Sequence, residues 1–425
     1  IPTLHCWSPG VVATTARQEL LMALQAADGQ ALPVQAIHLA LLPDLPTRYD
    51  LIRQGLLDLH NRPPDRDAFE ARLIDGTLYL LGNTPRGLLQ AVYTLDDRLR
   101  LGPALPPDWH TEGVFHLSQR VFHARFEGWP ATRDDVRFIS RLGASHCLIS
   151  HDWQGSRRQL QGYVTSPIFP RAVPPEEVAN NRAGLPQLLA ACAAYGLQTA
   201  LWLTELPCQA GPWESAAVRE SWLTRYPADV LSESGTNQGQ VLCFSHPLVQ
   251  DFYRDLLERF FREFPAIETL FLFGMDSGGE YCDPERCPRC RGMSKFAQRD
   301  RLLRFLISEG ERVRPGLRVI TTGWHWESWP TEFCARQASL PAASGVYLAA
   351  QGDGWQAERQ THDFLRQVRA ICRAHGQLFL GYDNFQLGDD ATHFWGHDLQ
   401  DYPLGIGAKL RRWHELQADG VFDHW

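Results

Sequence analysis

The sequence predicts an α/β protein in which a small α+β domain, residues 1–116, precedes a (β/α)8 TIM barrel, residues 117–425. Strand-like and helix-like runs alternate throughout the second region, and this alternation implies right-handed crossovers and a parallel sheet. Eight such units in roughly 300 residues fit a closed barrel better than an open doubly wound sheet. A proline-rich segment at 102–109 marks the boundary between the two patterns.

The first domain is predicted to combine helices with a small sheet. Residues 14–25 have helical periodicity, and residues 34–42 have the pattern of a buried strand. Two short apolar runs in 69–82 flank Asp75 and Gly76. Because an Asp-Gly pair between such runs is a strong hairpin signal, this segment predicts two antiparallel strands joined by a tight turn.

Capping signals predict where two helices begin. Thr84 can cap a helix that starts at Pro85, since proline is favoured at the first helical position. Thr132 and Asp135 have the spacing of a capping box, in which each residue satisfies a backbone N–H of the other. We therefore expect one helix directly after Thr84 and another over residues 132–143.

In the barrel region we count eight strand-like runs with seven helices between them. The predicted strands are 121–129, 145–153, 197–207, 267–276, 317–326, 344–350, 377–385 and 420–425. The helices with the clearest periodicity are 132–143, 185–196, 246–265, 296–315, 355–376 and 404–418. No glycine-rich phosphate-binding motif follows a strand, which disfavours a nucleotide-binding protein.

Composition excludes several classes of protein. Hydrophobic residues make up 44% of the 425 residues and charged residues 21%, as in a globular protein. The formal net charge is −8 and no basic run occurs, so nucleic acid is not an expected partner. No apolar stretch approaches ~18 residues, so we expect no membrane span. The 14 Trp residues are enough to line a sugar-binding cleft, although any one of them can equally fill the core.

Candidate functional residues follow the predicted strands, because catalytic residues of such barrels lie where the strands end. Nearly every strand is followed by a carboxylate together with an aromatic residue. A cleft of this composition suits glycoside hydrolysis, whereas phosphoryl transfer would require a basic or glycine-rich cradle. The substrate-binding candidates are Arg125, His151, Asp152, Glu205, Trp324, His325, Trp326, Glu327, Trp355, Tyr382 and Asn384.

Four carboxylates are the candidate catalytic groups. Glu280 is the preferred general acid, because two glycines before it allow the backbone to turn sharply towards the cleft. Asp276, Asp353 and Asp383 are candidates for the second catalytic carboxylate. Glu280 could instead be a solvated loop residue, and Asp276 a helix cap or the partner of an arginine. Asp353 could belong to an Asp-Gly turn without function, and Asp383 could equally have no functional role.

Three segments of the chain resemble glycoside hydrolases. DGTLYLLGNTPRGLLQAVYTLDDRL (75–99) resembles the end of the small domain that precedes the barrel in family 20 β-N-acetylhexosaminidases and family 67 α-glucuronidases. ASHCLISHDW (144–153) resembles the second barrel strand of the hexosaminidases, and YGLQTALWLTELP (195–207) resembles the third strand of both families. The resemblance implies an exo-acting, hexosaminidase-like glycosidase with a glycan or glycoside substrate.

The loop after the fourth strand differs from both families. Family 20 has an adjacent Asp-Glu pair there, whereas three residues separate Asp276 from Glu280 in this chain. By resemblance to family 67, Glu280 would be the acid and Asp353 and Asp383 the candidate bases of an inverting α-glucuronidase. A third possibility is a carbohydrate-binding barrel that has lost its chemistry. The separation of the two carboxylates would distinguish retaining from inverting enzymes, and the lack of any pair would favour the binding protein.

A cysteine cluster follows the same loop. Cys282, Cys287 and Cys290 have the spacing CxxxxCxxC and could supply three ligands of a structural zinc. The fourth ligand could be Cys208, after the third barrel strand, or Cys243, before the helix of the fourth unit. A disulfide or free thiols are the alternatives. No cofactor for catalysis is expected, and reduced cysteines weakly favour the cytoplasm.

Overall fold

The protein is described here by a computed structural model, which describes residues 2–27, 34–102, 105–123, 131–149, 159–204, 221, 223–233, 240–273, 281–322, 330–349, 362–383 and 402–423. The chain divides into two compact units. The first comprises Ile1–Arg120, Thr132–Ser145 and Ala190–Gln198; the second comprises Val121–Ala131, His146–Leu189 and Thr199–Trp425. The boundary proposed from sequence between residues 116 and 117 stays a prediction.

The first unit contains a five-stranded mixed sheet with the strand order β1-β2-β4-β3-β5. Its strands pair in parallel from β1 through β2 to β4, and the β4–β3 and β3–β5 pairs are antiparallel. The strands are β1 (Thr3–Cys6), β2 (Ala36–Leu41), β3 (Ala68–Ile74), β4 (Thr77–Gly82) and β5 (His110–Val114).

The predicted hairpin is confirmed. Strands β3 and β4 pair antiparallel, with Ile74 opposite Thr77. Asp75 and Gly76 between them have φ angles of 46° and 75°. A two-residue turn with both central residues at positive φ matches the right-handed twist of the strands, which explains why Asp-Gly is favoured there.

Both predicted helix starts are also confirmed. The helices of the first unit are α1 (Val11–Ala26), α2 (Arg48–Arg53), α3 (Pro85–Leu101) and α4 (Arg133–Arg141). The hydroxyl of Thr84 accepts a hydrogen bond from the backbone N–H of Gly87 at 3.1 Å. At the start of α4, Thr132 and Asp135 form the reciprocal capping box. Each cap satisfies backbone donors that have no partner within the first helical turn.

A buried carboxylate ties several segments of the first unit together. The side chain of Asp67 is 2% exposed and accepts hydrogen bonds from Arg86 Nε at 2.8 Å, from Arg120 Nη2 and from the hydroxyl of Thr84. Burial raises the pKa of Asp67, but the two guanidinium groups outweigh it and hold that pKa below its ordinary value. The folded state therefore favours the ionised carboxylate.

The second unit is built around the closed barrel that the sequence predicts, with neighbouring strands parallel. The order around the barrel is β11-β12-β13-β14-β15-β6-β7-β8, and a short antiparallel hairpin, β9-β10, lies outside it. The strands are β6 (Gln119–His123), β7 (His146–Leu148), β8 (Gln198–Thr204), β9 (Leu231–Glu233), β10 (Gln240–Leu242), β11 (Ile267–Phe273), β12 (Arg318–Thr322), β13 (Ser344–Ala349), β14 (Leu378–Asp383) and β15 (Gly420–Asp423).

The remaining helices lie between these strands in sequence. They are α5 (Leu160–Tyr163), α6 (Pro175–Ala194), α7 (Pro247–Glu263), α8 (Lys295–Val313), α9 (Pro330–Ser339), α10 (His362–Ala374) and α11 (Tyr402–Glu415). Helix α6 begins at Pro175 and contains Pro186, whereas the sequence predicted a helix that starts at residue 185. Among the described residues, no helix has the length and apolar character that a membrane crossing requires.

Candidate active site and four-cysteine cluster

The carboxyl ends of the barrel strands meet at one edge, because all of these strands run in the same direction. Glu205 follows the last residue of β8, and both Asp276 and Glu280 lie in the segment 274–280 after β11. Most predicted site residues lie outside the described residues, and their roles stay predictions: Arg125, His151, Asp152, Glu205, Asp276, Glu280, Trp324, His325, Trp326, Glu327, Asp353, Trp355 and Asn384.

Two predicted site residues belong to the described end of β14. The backbone of Asp383 ends this strand and pairs with Asp423, which ends β15. Tyr382 is 8% exposed, and its ring centroid lies 5.8 Å from that of Tyr347 and 5.9 Å from that of Phe422. Tyr382 is therefore part of the packed barrel interior, and its contact with substrate stays a prediction.

An aromatic layer fills the barrel interior next to the carboxyl ends of the strands. Tyr347 stacks on Phe422 with ring centroids 4.7 Å apart, and its hydroxyl donates a hydrogen bond to the carbonyl of Leu272 at 3.0 Å. The interior members of the layer come from strands all around the barrel: His123, Trp202, Phe271, Tyr347, Tyr382 and Phe422. These side chains form one packed, largely apolar cluster in the barrel interior.

His123 and Trp202 are interior residues that the sequence reading missed. His123 ends β6, and its ring centroid lies 5.5 Å from that of Trp202. Burial lowers the pKa of His123 to about 3, so the imidazole is neutral at neutral pH. Strict alternation along the strand from Val121, an interior residue, to His123 would have identified it.

Four buried cysteines meet beside the β9–β10 hairpin. Cys243, Cys282, Cys287 and Cys290 are each 0–1% exposed, and their sulfur atoms all lie within 4.8 Å of one another. The Sγ of Cys243 lies 3.6 Å from that of Cys287 and 3.8 Å from that of Cys290. All four are free thiols rather than disulfides.

The thiols of this cluster perturb one another. Hydrogen bonds with Cys243 and Cys290 raise the pKa of Cys282, and hydrogen bonds from Cys243 and Cys282 lower the pKa of Cys290. The titrations of these thiols are coupled, because ionisation of one sulfur disfavours ionisation of its neighbours. The four sulfur atoms could together serve as the ligands of one cation.

The structure places Cys243, one of the two candidates for the fourth ligand, beside the other three cysteines. The sequence favoured Cys208 and left Cys243 as the alternative. Cys243 directly follows β10 and donates its backbone N–H to the carbonyl of Val230 at 2.8 Å, which holds its thiol beside the other three. Cys208 lies outside the described residues.

Backbone and side-chain hydrogen bonds hold the cysteine loop in place. The N–H of Asp283 donates to the carbonyl of Glu233 in β9 at 2.8 Å. The side-chain amide of Gln298 in α8 accepts from the N–H of Cys282 at 3.1 Å and donates to its carbonyl at 3.0 Å. The loop is thus fixed on one side by the hairpin and on the other by α8.

No family model and no curated protein matches this chain. Solved structures do match its fold. A GH138 enzyme that targets pectin rhamnogalacturonan II aligns with 100% of this chain at 12% identity, with a TM-score of 0.60. Flavobacterium johnsoniae chitobiase, a GH20 protein, aligns with 100% at 12% identity and a TM-score of 0.59. A GH115 4-O-methyl-α-glucuronidase with specificity for decorated arabinogalactans aligns with 99% at 12% identity and a TM-score of 0.54.

These likenesses concern the fold, since the identities are low. They confirm, at the level of fold, the resemblance to family 20 and the predicted barrel with an N-terminal domain. The chain spans 46% of the length of the GH138 enzyme, 62% of the chitobiase and 54% of the α-glucuronidase.

Proposed function

We propose that this chain is a glycoside hydrolase whose active site lies at the carboxyl end of the barrel. The observation that carries the proposal is the closed parallel barrel itself. It directs the ends of β8, β11 and β14 to one edge, and carboxylates follow or end these strands in the sequence. The fold likeness to GH138, GH20 and GH115 enzymes supports the same reaction class.

In this mechanism Glu280 is the general acid. A carboxylic acid donates its proton to the glycosidic oxygen while the bond to the anomeric carbon breaks. A second carboxylate, for which Asp276, Asp353 and Asp383 are the candidates, either attacks the anomeric carbon or activates a water molecule.

The substrate proposed first is a terminal N-acetylhexosamine, released in an exo-acting reaction. The fold likeness to the Flavobacterium chitobiase and the three sequence segments quoted above support it. The second candidate is an α-linked glucuronic acid. Its support is the separation of Asp276 from Glu280 by three residues, together with the likeness to the GH115 α-glucuronidase. Arg125 would then bind the sugar carboxylate, since a guanidinium matches a planar anion.

The test is hydrolysis of aryl glycosides by the wild type, by Glu280→Gln and by Glu285→Gln. The panel contains N-acetylglucosaminides, N-acetylgalactosaminides and glucuronides, each with a good and a poor leaving group. Loss of a general acid should slow hydrolysis by about 10²–10⁴-fold for the poor leaving group. The loss should be smaller for the good leaving group, because its anion departs without a proton.

Glu285→Gln is the matched control, since Glu285 is an exposed carboxylate in the same loop and should leave the rates unchanged. Equal rates for wild type and Glu280→Gln would remove Glu280 from the mechanism and direct the search to Asp276, Asp353 and Asp383. No release from any glycoside by folded wild type, combined with binding of the same sugars, would favour the non-catalytic carbohydrate-binding barrel.

A further inference from the structure

We propose that Cys243, Cys282, Cys287 and Cys290 bind one structural Zn²⁺ as a tetrahedral four-thiolate site. The spacing of the sulfur atoms supports this proposal. A Zn–S bond of about 2.3 Å in a tetrahedron separates each pair of sulfurs by about 3.8 Å. The sulfur of Cys243 lies 3.6 Å from that of Cys287 and 3.8 Å from that of Cys290. These two separations match tetrahedral zinc, and all four sulfur atoms lie within 4.8 Å of one another.

The same distances argue against a disulfide, whose sulfur atoms would lie about 2.05 Å apart. They also argue for a structural rather than a catalytic metal. Catalytic zinc keeps a position open for water, whereas this site offers four thiolates, all of them buried. Zinc bound in this way would be inaccessible to a substrate and would act by fixing the surrounding chain.

The charge around the cluster suits the complex that would form. Four thiolates and one Zn²⁺ carry a net charge of −2, which needs compensation in a buried site. Residues 281–301 contain six basic and three acidic side chains, an excess of three positive charges. Arg301 Nη1 donates to the hydroxyl of Ser245 at 3.1 Å, and that hydroxyl lies 3.3 Å from the sulfur of Cys290. This chain of contacts resembles the outer-shell hydrogen bonds that orient metal ligands.

The metal would join two segments that are distant in sequence. Cys243 extends the β9–β10 hairpin, and the other three ligands lie in the loop between β11 and α8. Cys282 comes two residues after Glu280 in the sequence. Zinc would therefore anchor the loop that carries the proposed general acid. The anchoring of the general acid's loop rests on the proposed function, whereas zinc binding itself does not.

The test uses the full chain, purified without chelators. Elemental analysis should find one zinc per chain, and replacement by Co²⁺ should give the sulfur-to-metal charge-transfer and ligand-field bands of tetrahedral thiolate coordination. Cys243→Ser should weaken zinc binding, measured against a chromophoric chelator, by more than the roughly 10–100-fold that outer-shell changes cause. Cys192→Ser is the control, because it removes an equally buried thiol outside the cluster.

A chelator experiment on the wild type covers the case in which Cys243→Ser does not fold. Removal of zinc should lower the melting temperature, and added Zn²⁺ should restore it. Sub-stoichiometric zinc together with no Co²⁺ spectrum would overturn the proposal, as would stoichiometric iron or unchanged zinc affinity in Cys243→Ser. One zinc per chain without glycosidase activity would uphold the metal site and contradict only the proposed function.

Discussion

The buried carboxylate of Asp67 allows the structure of the first unit to be tested by a single substitution. Asp67→Asn preserves the shape of the side chain but removes the charge that Arg86 and Arg120 share. The side chain of Arg120 is only 9% exposed, and that of Arg86 is 26% exposed. The main cost is therefore a buried guanidinium without its counter-charge.

The expected magnitude follows from these exposures. Removing one partner of a buried ion pair costs about 3–5 kcal/mol, whereas a more exposed pair such as that with Arg86 contributes about 1 kcal/mol or less. We therefore expect Asp67→Asn to lower the unfolding free energy of the first unit by about 3–5 kcal/mol. Asp65→Asn is the matched control, because Asp65 is exposed and lies two residues earlier.

Hydrogen exchange measured by mass spectrometry reports the unfolding free energy of each unit separately. Amides of β3 and β4 should exchange about 100–5,000-fold faster in Asp67→Asn, since about 1.4 kcal/mol corresponds to a factor of ten. The pKa of Asp67 lies below its ordinary value in the folded state, so its contribution is present above about pH 4 and is lost as the pH falls further. An acceleration no larger than that of Asp65→Asn would refute the buried-pair argument.

Two further predictions concern the barrel. The pKa of His123 is about 3 in the folded state and about 6.5 in the unfolded chain, so only the unfolded state gains a proton as the pH falls below 6.5. The unfolding free energy should therefore fall by about 1.6 kcal/mol between pH 6.5 and pH 5. Urea unfolding of His123→Phe should lack that part of the decrease. If the unfolding free energy of wild type and His123→Phe depends on pH with the same slope, the assignment is contradicted. Gly381→Ala would place a Cβ 2.1 Å from the ring of Trp413 and should destabilise the protein by about 1–3 kcal/mol. Gly407→Ala, inside α11 with its nearest neighbouring atom at 3.6 Å, should instead stabilise by about 0.5–1 kcal/mol. Thermal unfolding of the two variants should shift in opposite directions, and equal shifts would be inconsistent with the close packing at Gly381.

The elements that the sequence predicted best are those with a local cause. The turn at Asp75 and Gly76 depends only on which residues tolerate positive φ, and the caps at Thr84 and Thr132 depend on side chains three residues from their targets. The alternation of strands and helices was similarly visible, because each element carries its own periodicity. These signals together predicted the barrel before any contact between strands was known.

Elements that depend on distant contacts were missed or misjudged. Helix α6 extends through Pro186 although an internal proline removes one helical hydrogen bond. Hydrogen bonds to residues outside the helix stabilise its early turns. The side chain of Asn181 donates to the carbonyl of Gly162 at 3.0 Å, and that of Arg182 donates to the carbonyl of Tyr163. Strands β9 and β10 have three residues each, too few for a periodic pattern.

In the candidate site, too, some features could be predicted from the sequence and others depend on distant contacts. That functional groups follow the strands was predictable, because the barrel topology determines where the strands end. Which cysteine completes the cluster was not predictable, because the answer depends on the β9–β10 hairpin. The interior layer of His123, Trp202 and Phe422 was missed because no single residue in it looks unusual, and only the closure of the barrel brings the rings together.

A metal at the four-cysteine cluster would also act on the unfolded chain. Cys243 and Cys290 are 47 positions apart, and the chain between them contains all of α7 and β11. Cross-linking a loop of this length removes conformational entropy from the unfolded ensemble worth about 4 kcal/mol at 25 °C, as for a disulfide of equal span. Unlike a disulfide, this cross-link would persist in a reducing environment and would open and close with the supply of zinc.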